Sequence, residues 1–400
     1  MKSNNTLAII KPQRERSIIN RHPWVYSGAI HDIKGDPTGG ETIDLVNQSG
    51  EFLARGAYSP HSKIKIRIWS WNGEQIIDDQ FIYRTLEDAI SRRNTLLSLK
   101  NTNAYRLVYA ESDRFPGLIV DLYDNILVMQ CLSFGAEFWR ETIADSLTKL
   151  MKVACIYERS DAEIRQLEGL SLRNEVIRGI LPENDITIIE NGLKYLVDVK
   201  KGQKTGFFLD QRQNRLAVRQ LAQDKNVLDC FCYTGGFSIS ALAGEAKSII
   251  SIDTSDEAIN IAKRNVQINY LDQNRINWIR GDVFTELRKL RDYDRKFDMI
   301  ILDPPKFAFS MSQVEKAARG YKDINLLAMK LLNPGGLLVT FSCSGSVNAD
   351  LFQKIVAGAA LDAGVGAQII NQLHQAEDHP ILLSFPEGQY LKGLIIQVNK

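Results

Sequence analysis

The sequence predicts an α/β protein with three parts in order: a small β-rich domain, a mixed α+β domain, and a mostly parallel sheet flanked by helices. Three observations carry this. Apolar runs alternate with helical stretches every 20 to 30 residues from about residue 226 onward, the rhythm of βαβ units. The first 75 residues show period-two alternation broken by turn clusters. The length, 400 residues, exceeds one ordinary domain.

The N-terminal segment, residues 1–75, reads as short strands. Thr42–Val46 runs into the turn signal Asn47-Gln48-Ser49-Gly50, and Phe52–Gly56 and the alternating Ile64–Trp69 follow. Ten Lys/Arg stand against seven Asp/Glu here, a mildly basic balance. Residues 76–195 form the expected middle domain. Phe81, Ile82, Leu86, Ile90 and Leu97 recur at helical spacing, predicting a helix over 78–100. Gly117–Tyr123, Asp124-Asn125 and Ile126–Gln130 read as a hairpin, and 137–152 as a second helix.

Residues 196–400 form the third part. Five strands are expected at Asn226–Cys230, Ser248–Ile252, Ile276–Ile279, Phe297–Leu302 and Leu337–Ser342. Helices are expected at Phe237–Ala243, from Asp256 to about 269, and up to about Leu332. Two late strands, Ala367–Leu373 and Leu391–Val398, would close the sheet with one antiparallel member.

Composition narrows the function classes. Hydrophobic residues make up 44% and charged residues 24%, the balance of a soluble globular protein, and the net charge of +1 gives no indication of bulk attraction to nucleic acid, so any basic surface is local. No run of about 20 apolar residues predicts a membrane span. The start, Met1-Lys2-Ser3-Asn4-Asn5, lacks a signal-like apolar stretch. Five cysteines, an odd number, fit a reducing, cytoplasmic setting, and no Cys/His cluster has zinc-ligand spacing, so no metal is expected.

In open α/β sheets the ligand lies beyond the C-terminal strand ends. Strand one ends at Asp229 and enters Cys230-Phe231-Cys232-Tyr233-Thr234-Gly235-Gly236, where glycine lets backbone approach a ligand. Strand two ends at Asp253, with Ser255 beyond it; a carboxylate there can accept from ribose hydroxyls. Strand three leads to Asp282-Val283, a carboxylate beside apolar surface that suits an adenine. Strand four ends in Asp303-Pro304-Pro305-Lys306-Phe307. Each signal alone is weak, since an Asp after a strand is often a helix cap, but four in register reinforce each other. A dinucleotide is disfavoured because the turn lacks G-x-G-x-x-G.

These strand ends resemble the class I SAM-dependent methyltransferases, with their Rossmann-like, mostly parallel seven-stranded sheet. Asp303–Phe307, the block Lys204-Thr205-Gly206-Phe207-Phe208-Leu209-Asp210-Gln211-Arg212, and Tyr233–Phe237 narrow the match. With them the chain is similar to the bacterial 23S rRNA cytosine-C5 methyltransferases of the large subunit, the methyltransferase I family, over nearly its full length. The match around Arg21–Gly28 is looser. In that family a PUA domain, a middle domain and the methyltransferase domain follow in order. One departure is Glu111-Ser112-Asp113-Arg114, where a Gly usually follows Glu-x-Asp.

The resemblance implies S-adenosyl-L-methionine as cofactor, with Asp229, Phe231, Tyr233, Thr234, Gly235, Asp253, Ser255, Asp282, Val283 and Asp303 around it. It implies 23S rRNA or a large-subunit precursor as partner, no membrane, and is compatible with a homodimer. Cys343, in Ser342-Cys343-Ser344 at the end of strand five, suits thiolate addition to pyrimidine C6. Position alone leaves a small core residue equally open; the resemblance places the nucleophile there. Asp303 would orient the base or move a proton. Cys230 and Cys232 are assigned no nucleophilic role. A base N-methyltransferase is the rival enzyme, since a similar Asp-Pro-Pro-aromatic run holds exocyclic amines. An inactive RNA-binding assembly factor is the rival outside enzymes.

For RNA, residues 194–225 hold eight Lys/Arg against three Asp, a stretch expected to position phosphates or to be a solvated helix face. Lys204, Phe208, Gln211, Arg212 and Lys306 are candidate substrate residues. Arg21 and Trp24 mix charge with stacking surface, as single-stranded RNA requires. Trp69 and Trp71 are expected to be structural.

Overall fold

The computed structural model describes residues 6–96, 101–308 and 310–399. The chain divides into two compact units, one built from 1–188, 197–209 and 377–388, the other from 189–196, 210–376 and 389–400.

The first unit contains two sheets. Strands β1 (Leu7–Ile10), β2 (Trp24–Tyr26), β3 (Ile30–Lys34), β4 (Thr42–Val46), β5 (Phe52–Tyr58) and β6 (Ile64–Ser70), with the short helix α1 (Arg16–Ile19), make a six-stranded sheet of order β2-β6-β5-β4-β1-β3. Alternation sends Ile43 and Leu45 of β4 inward onto Ala8, Ile10, Val25, Ile66 and Ile68. On β6 the alternation fails because both faces are covered. Arg67 is buried on a bidentate pair with Glu168 (3.0 and 2.9 Å), and Trp69 packs edge-on to Phe115 at 5.1 Å.

The second sheet orders β11 (Arg173–Gly179), β10 (Cys155–Ser160), β9 (Ile126–Cys131), β8 (Leu118–Tyr123) and β7 (Ala104–Tyr109). The expected hairpin is β8–β9, with Tyr123 opposite Ile126. Helices α2 (Asp79–Leu96), α3 (Phe134–Phe138), α4 (Arg140–Leu150) and α5 (Ile164–Glu168) accompany it. The expected helix over 78–100 is α2, and Leu97 lies outside the described residues. The expected helix over 137–152 is broken in two at Trp139, the C-cap of α3 and N-cap of α4. Asp113 is buried beneath Arg93 (2.7 and 2.6 Å) and Arg92 (3.0 Å). Arg114, where a Gly was expected, takes the left-handed conformation (φ +60°). The backbone shape glycine adopts freely is therefore kept, at a strain cost borne by an arginine.

A two-stranded sheet pairs β12 (Ile186–Glu190) with β13 (Leu193–Val197). The second unit is a seven-stranded sheet of β14 (Asn226–Cys230), β15 (Ser248–Asp253), β16 (Ile276–Arg280), β17 (Phe297–Leu302), β18 (Leu332–Ser342), β19 (Gly366–Leu373) and β20 (Lys392–Asn399). Its order is β16-β15-β14-β17-β18-β20-β19. β14 to β18 are parallel and β20 runs antiparallel to β18 and β19, the single reversed member expected. Helices α6 (Arg212–Leu221), α7 (Gly236–Ala243), α8 (Asp256–Ile268), α9 (Val283–Asp292), α10 (Val314–Leu331) and α11 (Ala349–Ala363) flank it. Leu287, Ile324 and Phe352, from α9 to α11, bury Leu228, Ile300 and Leu338 of the sheet. Among the described residues no helix is long and apolar enough to cross a membrane.

Candidate active site

The sheet order reverses between β14 and β17, so the crevice beyond their C-terminal ends is where a ligand is expected. Register brings the ends level: Cys230 faces Ile252 on one side and Leu302 on the other, and Leu302 faces Thr340.

The turn leaving β14 is tightly wound. Phe231 (φ +65°), Tyr233 (φ +48°) and Gly235 (φ +80°) are all left-handed. A Cβ on Gly235 would lie 3.0 Å from Ala262 and 3.1 Å from Trp278, so this position needs glycine for space and for torsion. Strain held at the two non-glycine residues of this turn, Phe231 and Tyr233, marks a site where backbone geometry matters. Asp229 is fully buried at the strand end; its Oδ2 accepts from Ser238 Oγ at 2.5 Å. Its Oδ1 and the Oγ1 of Thr234 are buried with no hydrogen-bond partner. Burial, with the nearby Asp303 and Asp253 charges adding to it, pushes the Asp229 carboxyl up to about 7 against the Ser238 hydrogen bond. Two orphaned buried oxygens beside a strained glycine turn fit a ligand that brings a cation and a donor. The ammonium and hydroxyls of SAM meet that requirement.

Asp253, half-buried at the end of β15, accepts from Tyr233 N and Ser255 N, both at 2.9 Å. Its carboxylate thus clamps the turn, with lone pairs left for a diol. Ser255 caps α8, accepting from Ala258 N (3.2 Å), and Asp282 caps α9, accepting from Thr285 N (3.0 Å). Val283 is the buried first residue of α9. The cap role weighed for these strand-end residues is therefore occupied at Ser255 and Asp282.

Asp303 is half-buried, and its Oδ1 accepts from Gln211 Nε2 at 3.0 Å. Asn214 in turn donates to Gln211 Oε1 (2.5 Å) and to the His374 carbonyl (3.1 Å), fixing the amide. Gln211, read as a substrate residue, is in this structure the group that holds Asp303. Cys343 lies just past β18, half-buried, with Sγ 4.0 Å from the Pro304 carbonyl. The other four cysteines are buried. Burial pushes Cys230 and Cys232 well above the ordinary thiol range, which disfavours their thiolates.

The loop after β17 is tied to the end of β18. Ser344 Oγ accepts from Ala308 N (3.2 Å) and lies 3.1 Å from the Tyr321 hydroxyl, to which Ser342 donates at 3.0 Å. Phe307 packs on Tyr321 with ring centroids 4.7 Å apart, whereas Lys306 is exposed. The residue missed by sequence reasoning is Lys392. It is 7% exposed, and its Nζ donates to the carbonyls of Ser344 (2.8 Å) and Tyr390 (2.6 Å). A lone lysine in the apolar run Leu391–Ile396 was the signal available.

The basic stretch 194–225 is not one surface. Arg215 is buried on a bidentate pair with Glu190 (2.6 and 2.7 Å), and Arg212 is also buried, so neither side chain contributes to an exposed basic face. Lys194, Lys200, Lys201 and Lys204 are exposed. Lys204 lies over the Phe208 ring at 4.6 Å in the first unit, where Thr205 is anchored to Asp121 (2.6 Å) and Tyr123 (2.8 Å). In the same unit Arg21 is exposed and stacks over Trp71 at 5.4 Å, on the wall of a cleft of about 820 Å³. Trp24 is half-buried against Phe385 (4.7 Å), and its indole N–H is spent on Glu111 (2.7 Å). Among the described residues no three His, Cys, Asp or Glu are grouped to hold a metal ion.

Residues 174–380 match a family model described as S-adenosylmethionine-dependent methyltransferase, and residues 8–71 match a PUA-like domain. The ribosomal RNA large subunit methyltransferase I of Tolumonas auensis is 50% identical over 394 residues, spanning 98% of this chain and 99% of that protein. The protein of the same name from Escherichia coli is 48% identical over 390 residues, 98% of each chain. A solved SAM-dependent methyltransferase from Streptococcus mutans shares the fold (TM-score 0.85, 21% identity, 98% of this chain and 99% of that one). A solved methyltransferase complexed with SAH matches equally well (TM-score 0.85, 21% identity, the same coverage). The N-terminal six-stranded sheet is thus PUA-like and the seven-stranded sheet is a SAM-dependent methyltransferase domain whose cofactor is SAM; the chain belongs to the ribosomal RNA large subunit methyltransferase I family.

Proposed function

We propose that this protein methylates C5 of a cytosine in 23S rRNA, through a covalent adduct between Cys343 and C6 of the base. The observation that carries the reading is the contrast among the cysteines. Four are buried, and the half-exposed one follows the strand beside the cofactor crevice, near Pro304 of the Asp303–Phe307 loop.

Bound SAM supplies an electrophilic methyl group. Asp229 Oδ1 and Thr234 Oγ1 would take its amino-acid end, Asp253 its ribose, and Asp282 with Val283 its adenine; Phe231, Tyr233 and Gly235 shape the turn around it. The Cys343 thiolate attacks C6 of the flipped base, and the electron pair of the C5–C6 bond makes C5 the nucleophile. After C5 is methylated, a base takes its proton and the C6–S bond breaks, returning the thiolate. Asp303, held by Gln211, orients the base's polar edge. The methyltransferase I relatives name ribosomal RNA of the large subunit, and this supports rRNA or a subunit precursor in the cytoplasm as the substrate. Lys306 would contact phosphate. Residues 1–75 would add RNA contacts at Arg21, residues 76–195 would connect, and 196–400 would carry the chemistry.

Base N-methylation is disfavoured by the fourth position of the Asp-Pro-Pro run. That position is the exposed Lys306, and the aromatic Phe307 is turned onto Tyr321. Mass mapping of 23S rRNA from cells lacking the protein tests the proposal. One missing 5-methylcytosine, restored by the wild-type gene and not by Cys343→Ala, is expected. A missing N-methyl base, or no change, refutes it.

A further inference from the structure

Lys392 has no part in the scheme above, yet it is built into the same corner. It pairs with Ser342 across the antiparallel β18–β20 ladder. Two of its three N–H directions are committed, to the Ser344 and Tyr390 carbonyls. Ser344 is the residue after Cys343, and the Cys343 thiol is near enough to act electrostatically on the Lys392 nitrogen. A buried lysine is ordinarily paired with a carboxylate; this one has only carbonyl partners among the described residues. With two directions used, the third carries a proton in the ammonium or a lone pair in the amine.

The charged groups facing it from neighbouring elements are few. Cys343, past β18, favours its charged form; Lys306, from the loop after β17, disfavours it. The Tyr321 hydroxyl of α10 is committed to Ser342 and Ser344. On Lys392's own side, the Tyr390 hydroxyl donates to Asp210. Burial is the largest influence and lowers the lysine to about 8, so amine and ammonium are both accessible near neutrality.

We propose that Lys392 takes the proton of Cys343 and holds the resulting thiolate as an ion pair, making it the positioning residue that arms the nucleophile. The S–H bond breaks, its electron pair stays on sulfur, and the proton forms the third N–H of the ammonium. No oxidant or co-reactant is needed. The same ammonium favours departure of the thiolate when the adduct collapses. The inference rests on the nucleophilic reading of Cys343 but can be measured without turnover.

The test is the pH dependence of Cys343 alkylation by iodoacetamide in the full-length protein, read by peptide mass spectrometry. In the wild type the thiol is expected to titrate at least one unit below the ordinary value of about 8.5. Lys392→Met should raise that midpoint by a unit or more and slow alkylation at pH 7 by about tenfold, as the thiolate fraction falls. Lys392→Arg, which keeps the charge, should restore most of the depression. Retained SAM binding shows that the variants are folded. An ordinary midpoint in the wild type overturns the proposal even if no variant folds, and so does a midpoint indifferent to Lys392→Met. A Lys392-dependent midpoint together with an active Cys343→Ala enzyme would keep the pair and sink the adduct. An inactive Cys343→Ala enzyme with an indifferent midpoint would do the reverse.

Discussion

Asp229 offers the sharpest prediction about the cofactor site. Its carboxyl is buried with one oxygen unpartnered, and its folded pKa is raised to about 7 from an ordinary 3.8. A raised pKa means the folded apoprotein prefers the protonated acid. The associated stability is fully present below the unfolded value and is lost as pH rises through about 7. Three units at 1.36 kcal/mol each make this about 4 kcal/mol of apoprotein stability lost between pH 4 and pH 8. Asp229→Asn removes the penalty. It should match the wild type within about 1 kcal/mol at pH 4 and exceed it by a few kcal/mol at pH 8, read by denaturant unfolding of the apoprotein. A bound ammonium reverses the shift. At pH 6, where the SAM amino group is already protonated, the wild type should therefore release close to one proton on taking up SAM, measured calorimetrically in buffers of different ionisation enthalpy. The variant should release none and bind at least about 30-fold more weakly, since truncating a buried charge pair costs about 2 to 5 kcal/mol. A stability difference equal at both pH values, or no proton release at pH 6, would refute the reasoning.

Other consequences follow from single residues. Gly235→Ala forces a Cβ to within 3.0 Å of Ala262 at φ +80° and should cost about 1 to 2 kcal/mol in thermal unfolding while weakening SAM binding. Glu190→Gln removes the carboxylate charge paired with the buried Arg215 and should destabilise by about 3 to 5 kcal/mol; adding Arg215→Met should recover most of the loss in a double-mutant cycle. Gln211→Ala removes one hydrogen bond to Asp303 and should lower kcat by about tenfold or more with the SAM dissociation constant within twofold, since one positioning hydrogen bond to a charge is worth about 1.5 to 3 kcal/mol.

The parallel sheet was legible because its inner strands are buried on both faces and read as plain apolar runs; β14 and β17 begin and end where expected. β10 was not, because Cys155–Ser160 carries Glu158 and Arg159 in a fully buried strand. Arg140 (2.5 Å) and Ser160 (2.6 Å) satisfy Glu158, and such pairing leaves no mark in periodicity. β18 starts five residues earlier than expected because its ladder with β17 jumps from Leu332 to Leu337, leaving Asn333-Pro334-Gly335-Gly336 as an irregularity. At the site, the strand-end carboxylates were visible because the fold concentrates ligand groups there. Gln211's hold on Asp303 and the approach of Lys392 to Ser344 depend on contacts across 92 and 48 residues of chain. No local pattern encodes those distances.

The adduct scheme requires a covalent bond between Cys343 and a cytosine. Incubating the protein and SAM with large-subunit RNA carrying 5-fluorocytidine tests it, because fluorine at C5 cannot leave as the proton does and the adduct persists. A stable RNA–protein conjugate is expected, with Cys343 in the cross-linked peptide, and Cys343→Ala should not form it. Methylation by Cys343→Ala at the wild-type rate, or a conjugate through another residue, would contradict it.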